Sequence, residues 1–304
     1  MAHYFSKSLF LLVILVVIVC GIYPATLWVV GQTLFPFQAN GSIILDANRN
    51  PIGSKLIAQP FTKDEYFQPR PSAASYNAAA STSSALAASN YALRDRVARS
   101  IATVATDTNG KAVGPDVEKW FRQDKFQGKP YIVEQWATLH TSLAQAWVSA
   151  DPKNAALVDD WAKKHPDLVK NAKGADLAVP FFRDFSHNNL GKFPLASGSD
   201  IQAIFFDMWR QEHPDVKLQN VPGDLVTTSA SGLDPHITLQ NAMFQLDRVA
   251  NARAKQINRK PEDVHNEIRQ ILLQHAEMPL AGLAGEQFVN VLEINLILQQ
   301  KYSA

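Results

Sequence analysis

The sequence is short of cysteine and has almost no excess of charge of either sign. Its only cysteine is Cys20, which excludes an intrachain disulfide and a cysteine-rich metal site. The 29 Lys and Arg residues nearly balance the 28 Asp and Glu residues, so the net charge is +1. Proteins that bind a nucleic acid backbone normally carry an excess of basic residues, and this composition shows none.

Motifs of catalysis are missing as well. The sequence contains no G-x-S-x-G, P-loop or dinucleotide-binding pattern, and its eight histidines form no H-x-x-x-H or H-E-x-x-H pair. Common hydrolase, nucleotide-binding and zinc-enzyme classes therefore have no motif here to support them. Hydrophobic residues occupy 46% of the 304 positions, which is enough for one large or two ordinary folded domains.

One long apolar run is present, at residues 9–30 (LFLLVILVVIVCGIYPATLWVV). At about 1.5 Å per residue it would cover roughly 33 Å, against a bilayer hydrocarbon core of about 30 Å. A cleaved signal peptide normally has an apolar stretch of only about 7 to 15 residues, so we predict an uncleaved membrane anchor. Because His3 and Lys7 precede the run, we expect a cytoplasmic amino terminus and residues 31–304 on the outside.

The segments that follow the anchor alternate between turn signals and periodic stretches. An Asn40-Gly41 turn leads into an apolar run, as at the start of a strand or hairpin. Residues 72–90 are rich in Ala and Ser, which by composition alone is typical of a linker. Ser89 then resembles an N-cap, and the spacing predicts a helix with one apolar face. That face consists of Leu93, Val97, Ile101 and Val104.

Residues 107–221 hold five of the six tryptophans and differ in composition from the rest. A short pattern recurs there, as WATLH, WAKKH and WRQEH, with Trp and His four positions apart and therefore on one helix face. His140, His165 and His213 could be metal ligands or line an aromatic ligand site. Prolines follow two of these histidines, which favours the alternative of a repeated packing unit at helix ends.

The final third has a tighter periodicity. Asp234 and Pro235 suit the N-cap and first position of a helix, whose apolar face is Leu239, Ala242, Leu246 and Val249. A second helix is predicted after Pro261, with its apolar face at Val264, Ile268, Ile271 and Leu272. Residues 282–298 (GLAGEQFVNVLEINLIL) are rich in β-branched and apolar residues and predict a turn and a strand, with a bulge near Val291 and Leu292.

The stretch SASGLDPH at residues 229–236 permits two interpretations. Ser229 or Ser231 could act as a nucleophile with His236 as base and Asp234 as the group that orients the base. Three residues in one turn seldom point at a common centre, however, and Gly232 has the conformational freedom that a sharp turn needs. We therefore favour an architectural loop over a hydrolase.

Five stretches of the chain carry a family resemblance in one order. They are GIYPATLWVVGQTLFPFQANGSII (21–44), GSKLIAQPF (53–61), YFQPRPSAASYNAAASTSSALAASNYAL (66–93), DLVTTSASGLDPHIT (224–238) and GLAGEQFVNVLEINLIL (282–298). Together they resemble the C subunit of the bacterial Kdp potassium-transporting P-type ATPase. The similar regions span residues 1–106 and 222–304, so that residues 107–221 read as an insertion.

The resemblance implies an α/β (α+β) fold with one amino-terminal transmembrane helix (1–31). An extracytoplasmic α/β domain (32–106 and 222–304) follows, interrupted by the mainly helical, Trp-rich insertion (107–221). The implied function is a non-catalytic subunit of an ATP-driven potassium uptake complex in the cell membrane. Its implied partners are a channel-like potassium-binding subunit, an ATP-hydrolysing subunit and membrane lipid.

By itself the chain is expected to bind no cofactor, because it has neither a DKTG phosphorylation motif nor a TVGYG-like filter. ATP and K⁺ would be handled by the complex, and the family is also described as a chaperone for ATP binding. An anchored ligand-binding or sensor module that uses the Trp-rich insertion stays open as an alternative. The resemblance marks as interface or architectural positions Asn40, Gly41, Arg70, Pro71, Ser72, Tyr76, Asn77, Ser231, Gly232, Asp234, Pro235 and His236.

Overall fold

The computed structural model describes residues 2–46, 48–124, 132–169, 172–188 and 199–302. The chain divides into two compact units. The first unit is Met1–Ser83 with Thr228–Ala304, and the second unit is Ser84–Thr227. The second unit therefore begins earlier and ends slightly later than the insertion drawn from the sequence.

The described residues form a helix-rich fold with two small sheets. The helices are α1 (Ala2–Val16), α2 (Tyr23–Leu34), α3 (Pro36–Ala39), α4 (Tyr91–Ala102), α5 (Gly114–Asp124), α6 (Ile132–Leu139), α7 (Thr141–Ala150), α8 (Pro152–Lys164), α9 (Pro166–Val169), α10 (Ala178–Asn188), α11 (Ser199–Glu212), α12 (Gly223–Val226), α13 (Leu239–Gln256), α14 (Pro261–Gln274) and α15 (Val291–Tyr302). The strands are β1 (Ile43–Leu45), β2 (Pro51–Ser54), β3 (His236–Thr238) and β4 (Phe288–Asn290).

The apolar run near the amino terminus is helical throughout. A π-helical segment, Val17–Ile22, joins α1 to α2, and Tyr4–Leu34 is long and apolar enough to cross a membrane. Pro24, which has no backbone N–H, stands in the first turn of α2, and the N–H of Tyr23 bonds to the carbonyl of Ile18. The wider π turn accommodates the proline without breaking the helix.

The strand or hairpin expected after the anchor is confirmed. Strands β1 and β2 pair antiparallel, with Ile43 opposite Ser54. Asp46 closes the turn between them, because its Oδ1 accepts hydrogen bonds at 2.8 Å from the backbone N–H groups of both Asn48 and Asn50. A carboxylate that accepts from two amides replaces the cross-strand bonds that a turn lacks.

The helix expected to begin at Asp234 and Pro235 begins instead at Leu239. Strand β3 precedes it and pairs antiparallel with β4, so the chain stays extended as far as Thr238. Thr238 is the actual N-cap, since its Oγ1 accepts from the N–H of Asn241 at 3.1 Å. The predicted apolar face is correct, because Ala242, Leu246 and Val249 are buried and Leu239 is half-buried.

The strand predicted for residues 282–298 is wrong beyond Asn290. Strand β4 ends there, and α15 begins at the next residue. Asn290 caps this helix through its Oδ1, which accepts from the N–H of Glu293 at 3.2 Å. The break in alternation near Val291 marks the change from strand to helix, and no bulge is present in this described segment. The Asn-x-x-Glu spacing signals the start of a helix. The prediction of a strand gave more weight to the β-branched residues than to this signal.

The core of the first unit is mostly aliphatic. The helix predicted after Pro261 is confirmed as α14, whose four predicted apolar residues are all buried. They pack in one cluster with residues of α13 and α15, including Leu246, Val249, Ile294 and Leu298.

Side-chain amides hold residues 67 and 68, which follow a turn at residues 63–66, against this core. Asn295 accepts from the N–H of Phe67 at 2.8 Å and donates to its carbonyl at 2.9 Å. Gln245 makes the equivalent pair of bonds to Gln68, at 2.8 and 3.0 Å. Each amide thus satisfies one residue's backbone as a neighbouring strand would.

Residues 72–90 form no helix or strand and run as a series of turns and irregular chain. The helix that follows begins at Tyr91, so the cap position belongs to Asn90 and not to Ser89. Within this helix Leu93, Val97 and Ile101 are half-buried, whereas Val104 lies beyond its end.

The described part of the second unit is helical with an aromatic core. Phe121 of α5 stacks on Phe205 of α11 with 4.4 Å between ring centroids. Trp136 of α6 meets Phe182 of α10 edge-on at 5.3 Å, and Trp161 of α8 packs against the neighbouring Phe181 in the same way. Such rings bury large areas in preferred offset and edge-on arrangements.

Candidate functional site

Two loops of the first unit, which are far apart in sequence, meet in the structure. We call residues 70–77 the arginine loop and residues 228–236 the glycine loop. Arg70 donates from Nη2 to the carbonyl of Thr228 at 3.1 Å, and its Nη1 lies 3.9 Å from Asp234 Oδ2. Ser72 Oγ donates to the carbonyl of Gly232. Ten of the twelve residues marked by the resemblance are therefore in one place.

The arginine loop is folded back on itself. Ser72 Oγ accepts from the N–H groups of Ala74 and Tyr76, and Tyr76 Oη donates to the carbonyl of Arg70 at 2.9 Å. Burial raises the pKa of Tyr76, so its hydroxyl keeps the proton that it donates. Pro71 lies between Arg70 and Ser72, and Asn77 Oδ1 closes the loop by accepting from the N–H of Ala79 at 3.0 Å. The hydrogen bonds of Ser72, Tyr76 and Asn77 thus hold this loop in one conformation.

The glycine loop approaches the rest of the chain so closely that one position requires glycine. Gly232 has φ +70°, and a Cβ there would lie 2.8 Å from the carbonyl oxygen of Thr82 and 3.0 Å from the nitrogen of Ala74. Both are backbone atoms that cannot rotate away. Ser231 supports the turn, because its carbonyl accepts from the N–H of Thr82 and its Oγ from the N–H of Leu233.

Asp234 and His236 form the polar end of the glycine loop. Asp234 Oδ1 accepts from the backbone N–H of His236 and lies 3.0 Å from its Nδ1. Burial raises the pKa of Asp234, but the hydrogen bonds from His236 and the charge of Arg70 outweigh burial and hold it below its usual value. The His236 ring meets Phe288 edge-on, and the carbonyl of Pro235 accepts from the N–H of Val291.

The arrangement does not assemble a serine nucleophile. Within the described residues, neither Ser229 nor Ser231 hydrogen-bonds to His236; Ser229 Oγ instead accepts weakly from the N–H of Asp234 at 3.5 Å. A nucleophile needs its base within hydrogen-bond reach. The described residues also contain no group of three or more His, Cys, Asp or Glu that could hold a metal ion. The loops therefore form a positioned polar surface.

Asn40 and Gly41 lie apart from the two loops, at the base of the β1–β2 hairpin. Asn40 Nδ2 donates to the carbonyl of Pro36 at 2.6 Å, and the carbonyl of Gly41 accepts from Ser54 Oγ at 2.7 Å. Gly41 has φ +81°, a conformation that glycine adopts without strain. These two residues shape the entry from the apolar helix into the hairpin.

The three Trp-His pairs all lie at helix ends in the second unit, as the packing interpretation predicts. In two of them the histidine ring stacks on its tryptophan and its Nδ1 faces that tryptophan's carbonyl, at 2.9 Å for His165 and 2.8 Å for His213. The third histidine, His140, is buried between two carboxylates, those of Asp95 and Asp207. Sequence spacing could not find this cluster, because its members lie on separate helices.

The comparison with known proteins identifies the family. The family model described as "K+-transporting ATPase, c chain" (KdpC) matches residues 5–118 and 189–300, which is well over half of the chain. The chain belongs to the KdpC family. Residues 119–188 are left unmatched, so the break in the family match lies inside the second unit.

Curated relatives agree with the family model. The chain is 30% identical over 276 residues to a protein of Rhodopseudomonas palustris, covering 91% of this chain and 87% of the relative. It is 26% identical to proteins of Clostridium kluyveri, covering 95% of this chain and 90% of the relative, and of Koribacter versatilis, covering 96% and 91%. Each relative is described as the KdpC subunit of a potassium-transporting ATPase. As a member of this family the chain is an accessory subunit of a Kdp potassium uptake complex.

Proposed function

We propose that the arginine and glycine loops are the surface by which this accessory subunit docks on the potassium-binding subunit of its complex. What supports this is that the loops fix polar groups that remain accessible. The side chains of Arg70, Asp234 and His236 are 26%, 36% and 36% exposed, yet each is held by hydrogen bonds or charge within the loops. A surface that is ordered before binding loses less conformational entropy when it binds.

We further propose that the apolar helix Tyr4–Leu34 is a single membrane anchor, with the amino terminus in the cytoplasm. Lys7 lies at the start of this helix, on the side that basic residues favour. Both loops would then be outside the cell membrane. Membrane lipid would surround the exposed apolar side chains of the helix.

ATP and K⁺ would be bound by the partner subunits and not by this chain alone. From outside the membrane, the two loops could not contact ATP in the cytoplasm. Any effect on nucleotide affinity would be transmitted through the membrane subunits as a coupling free energy. The proposed role is therefore assembly and extracytoplasmic coupling of the ATP-hydrolysing and potassium-binding subunits.

The first test is copurification. The full chain is tagged at its carboxyl terminus, extracted in mild detergent from its native membrane, and its partners are identified by mass spectrometry. We expect recovery of a polytopic potassium-binding protein with a P-type ATPase. Recovery of the chain alone, from cells that express those subunits, would contradict the subunit role and redirect attention to a sensor role for the Trp-rich segment.

The second test changes the loops. Arg70→Ala and Asp234→Ala each remove a charged group from the surface and should weaken capture of the partners about tenfold, equivalent to about 1.4 kcal/mol. Gly232→Ala should separate the loops and weaken capture at least as much, because its Cβ would meet fixed backbone. Arg269→Ala, an exposed arginine of α14, is the control.

Undiminished capture by folded Arg70→Ala and Asp234→Ala variants would disprove the docking surface while leaving the family role intact. An esterase or peptidase activity of the purified chain that disappears in Ser231→Ala would instead support the hydrolase interpretation of the glycine loop.

A further inference from the structure

The buried histidine of the second unit has a carboxylate at each ring nitrogen. His140 follows the end of α6 and is 3% exposed. Its Nδ1 lies 3.0 Å from Asp95 Oδ1 on α4, and its Nε2 lies 3.0 Å from Asp207 Oδ2 on α11. Both contacts have hydrogen-bond length, so both need a donor.

A neutral imidazole cannot supply two donors. It carries one N–H, and its other nitrogen is an acceptor, which would face a carboxylate oxygen lone pair to lone pair. Only the imidazolium form donates in both directions. We infer that His140 is a buried proton site, whose imidazolium ties α4 and α11 to the junction of α6 and α7.

The charges around the ring agree with a bound proton. Arg94 Nη2 on α4 and His140 Nδ1 both donate to Asp95 Oδ1, each at 3.0 Å, and this shared acceptor leaves the two nitrogens 3.3 Å apart. Ser142 Oγ on α7 donates to Asp95 Oδ2 at 3.3 Å. With His140 charged, two cations balance the carboxylates of Asp95 and Asp207. Without the proton, Arg94 alone would face two carboxylates. One negative charge would then stay unbalanced in a cluster where the Asp95 side chain is only 1% exposed. Buried charges are tolerated when they are paired.

Electrostatics favour the same protonation state. Burial lowers the pKa of His140, but the hydrogen bonds and charges of Asp207 and Asp95 outweigh burial, so the pKa is raised above its usual value.

The proton site joins two parts of the second unit that differ in whether the KdpC family model matches them. Asp95 and Asp207 lie in residues that the KdpC family model matches, whereas His140 lies in the unmatched residues 119–188. The proton therefore fastens the unmatched residues to helices that lie in the matched residues.

Stability of the second unit should depend on pH in a defined direction. Because the pKa of His140 is raised in the folded state, its protonation stabilises the fold fully at pH values below the unfolded-state pKa of about 6.5. This stabilisation is lost as the pH rises through the folded-state pKa.

The deciding measurement is nitrogen NMR of the full chain in detergent micelles, labelled only at histidine. At about pH 7.5 we expect both ring nitrogens of His140 to show the shifts of protonated nitrogen. The signal is assigned by its loss in His140→Gln or, if that variant does not fold, by single substitutions of the other histidines. One bare nitrogen on His140 at that pH would overturn the inference.

A second measurement follows thermal unfolding by tryptophan fluorescence between about pH 6 and pH 9. In the native chain, we expect the midpoint to fall across this range. His140→Gln should lower the midpoint at pH 6 and remove the fall, whereas His213→Gln, the matched histidine of another pair, should retain it. A fall that persists unchanged in folded His140→Gln would also overturn the inference.

Discussion

The two units hold their chain in place by different means. In the first unit, in addition to its aliphatic core, Asn295 and Gln245 fix residues 67 and 68 through paired hydrogen bonds to their backbone, and the two loops are tied by similar bonds. In the second unit, Trp136 and its aromatic neighbours fill the core by volume. Hydrogen bonds demand donors and acceptors at set positions, whereas apolar volume can be supplied by several side chains.

The family match follows this difference. It runs through the described first unit almost without a break, but within the second unit it leaves residues 119–188 unmatched. We infer that a network of set polar contacts tolerates little added chain, while a helical layer with an apolar face can be extended by packing further helices against it. Three predictions test this comparison, from the largest expected effect to the smallest.

The largest effect is expected from the aromatic core of the second unit. Trp136 is 1% exposed, and Trp136→Ala should lower the free energy of unfolding by about 4 kcal/mol, because it leaves a cavity. Four other tryptophans lie in this unit, so fluorescence during chemical denaturation reports its unfolding. Leu139→Ala, at an exposed position of the same helix, should change stability by less than about 0.5 kcal/mol.

We expect this loss to be confined to the second unit. Hydrogen exchange in α14 and α15 should stay as slow as in the native chain. Faster exchange in those helices would contradict the independence of the two cores.

The next effect tests the amide contacts of the first unit. Asn295→Ala should cost about 3 kcal/mol, because the N–H and carbonyl of Phe67 would remain buried without partners. Hydrogen exchange in α15 and residues 64–68 should accelerate, while the fluorescence transition of the second unit should not move. Asn266→Ala, at an exposed asparagine of α14, is the control. Equal stability of the two variants would show that the amide pairing contributes little.

The smallest effect concerns acid stability. The hydrogen bond from Arg259 lowers the pKa of Glu267, and hydrogen bonds from Tyr302 and Lys301 lower it further. Burial raises the pKa but is outweighed, so the pKa of Glu267 is about 2. A carboxyl group whose pKa is lowered in the folded state stabilises the fold at pH values above its unfolded-state pKa of about 4.3. This stabilisation is lost as the pH falls toward 2.

Glu267→Gln should therefore lose about 1 kcal/mol or less at neutral pH, since the site is partly exposed, and nothing near pH 2. Exchange rates in α14, measured at both pH values, would show this. A difference that persists near pH 2 would mean that packing, and not charge, is responsible. The contrast with the second unit is direct, because His140 should lose its contribution as pH rises.

Local sequence signals were reliable where the interacting residues lie close together in the chain. The apolar run predicted the long helix, the Asn40-Gly41 turn predicted the hairpin, and the spacing of Val264, Ile268 and Leu272 predicted α14. In α15, two local signals competed. β-Branched residues favoured a strand, and the capping contact between Asn290 and Glu293 decided for a helix.

The sequence by itself determined the anchor-like helix, most helix faces and the placement of Trp-His pairs at helix ends, because turns and periodic faces depend on residues a few positions apart. Only the tertiary structure brought Ser72 to Gly232, 160 positions away, and placed His140 between Asp95 and Asp207. Such contacts depend on the whole path of the chain, which no local pattern records. The surface proposed for docking and the buried proton site both arise from contacts of this kind.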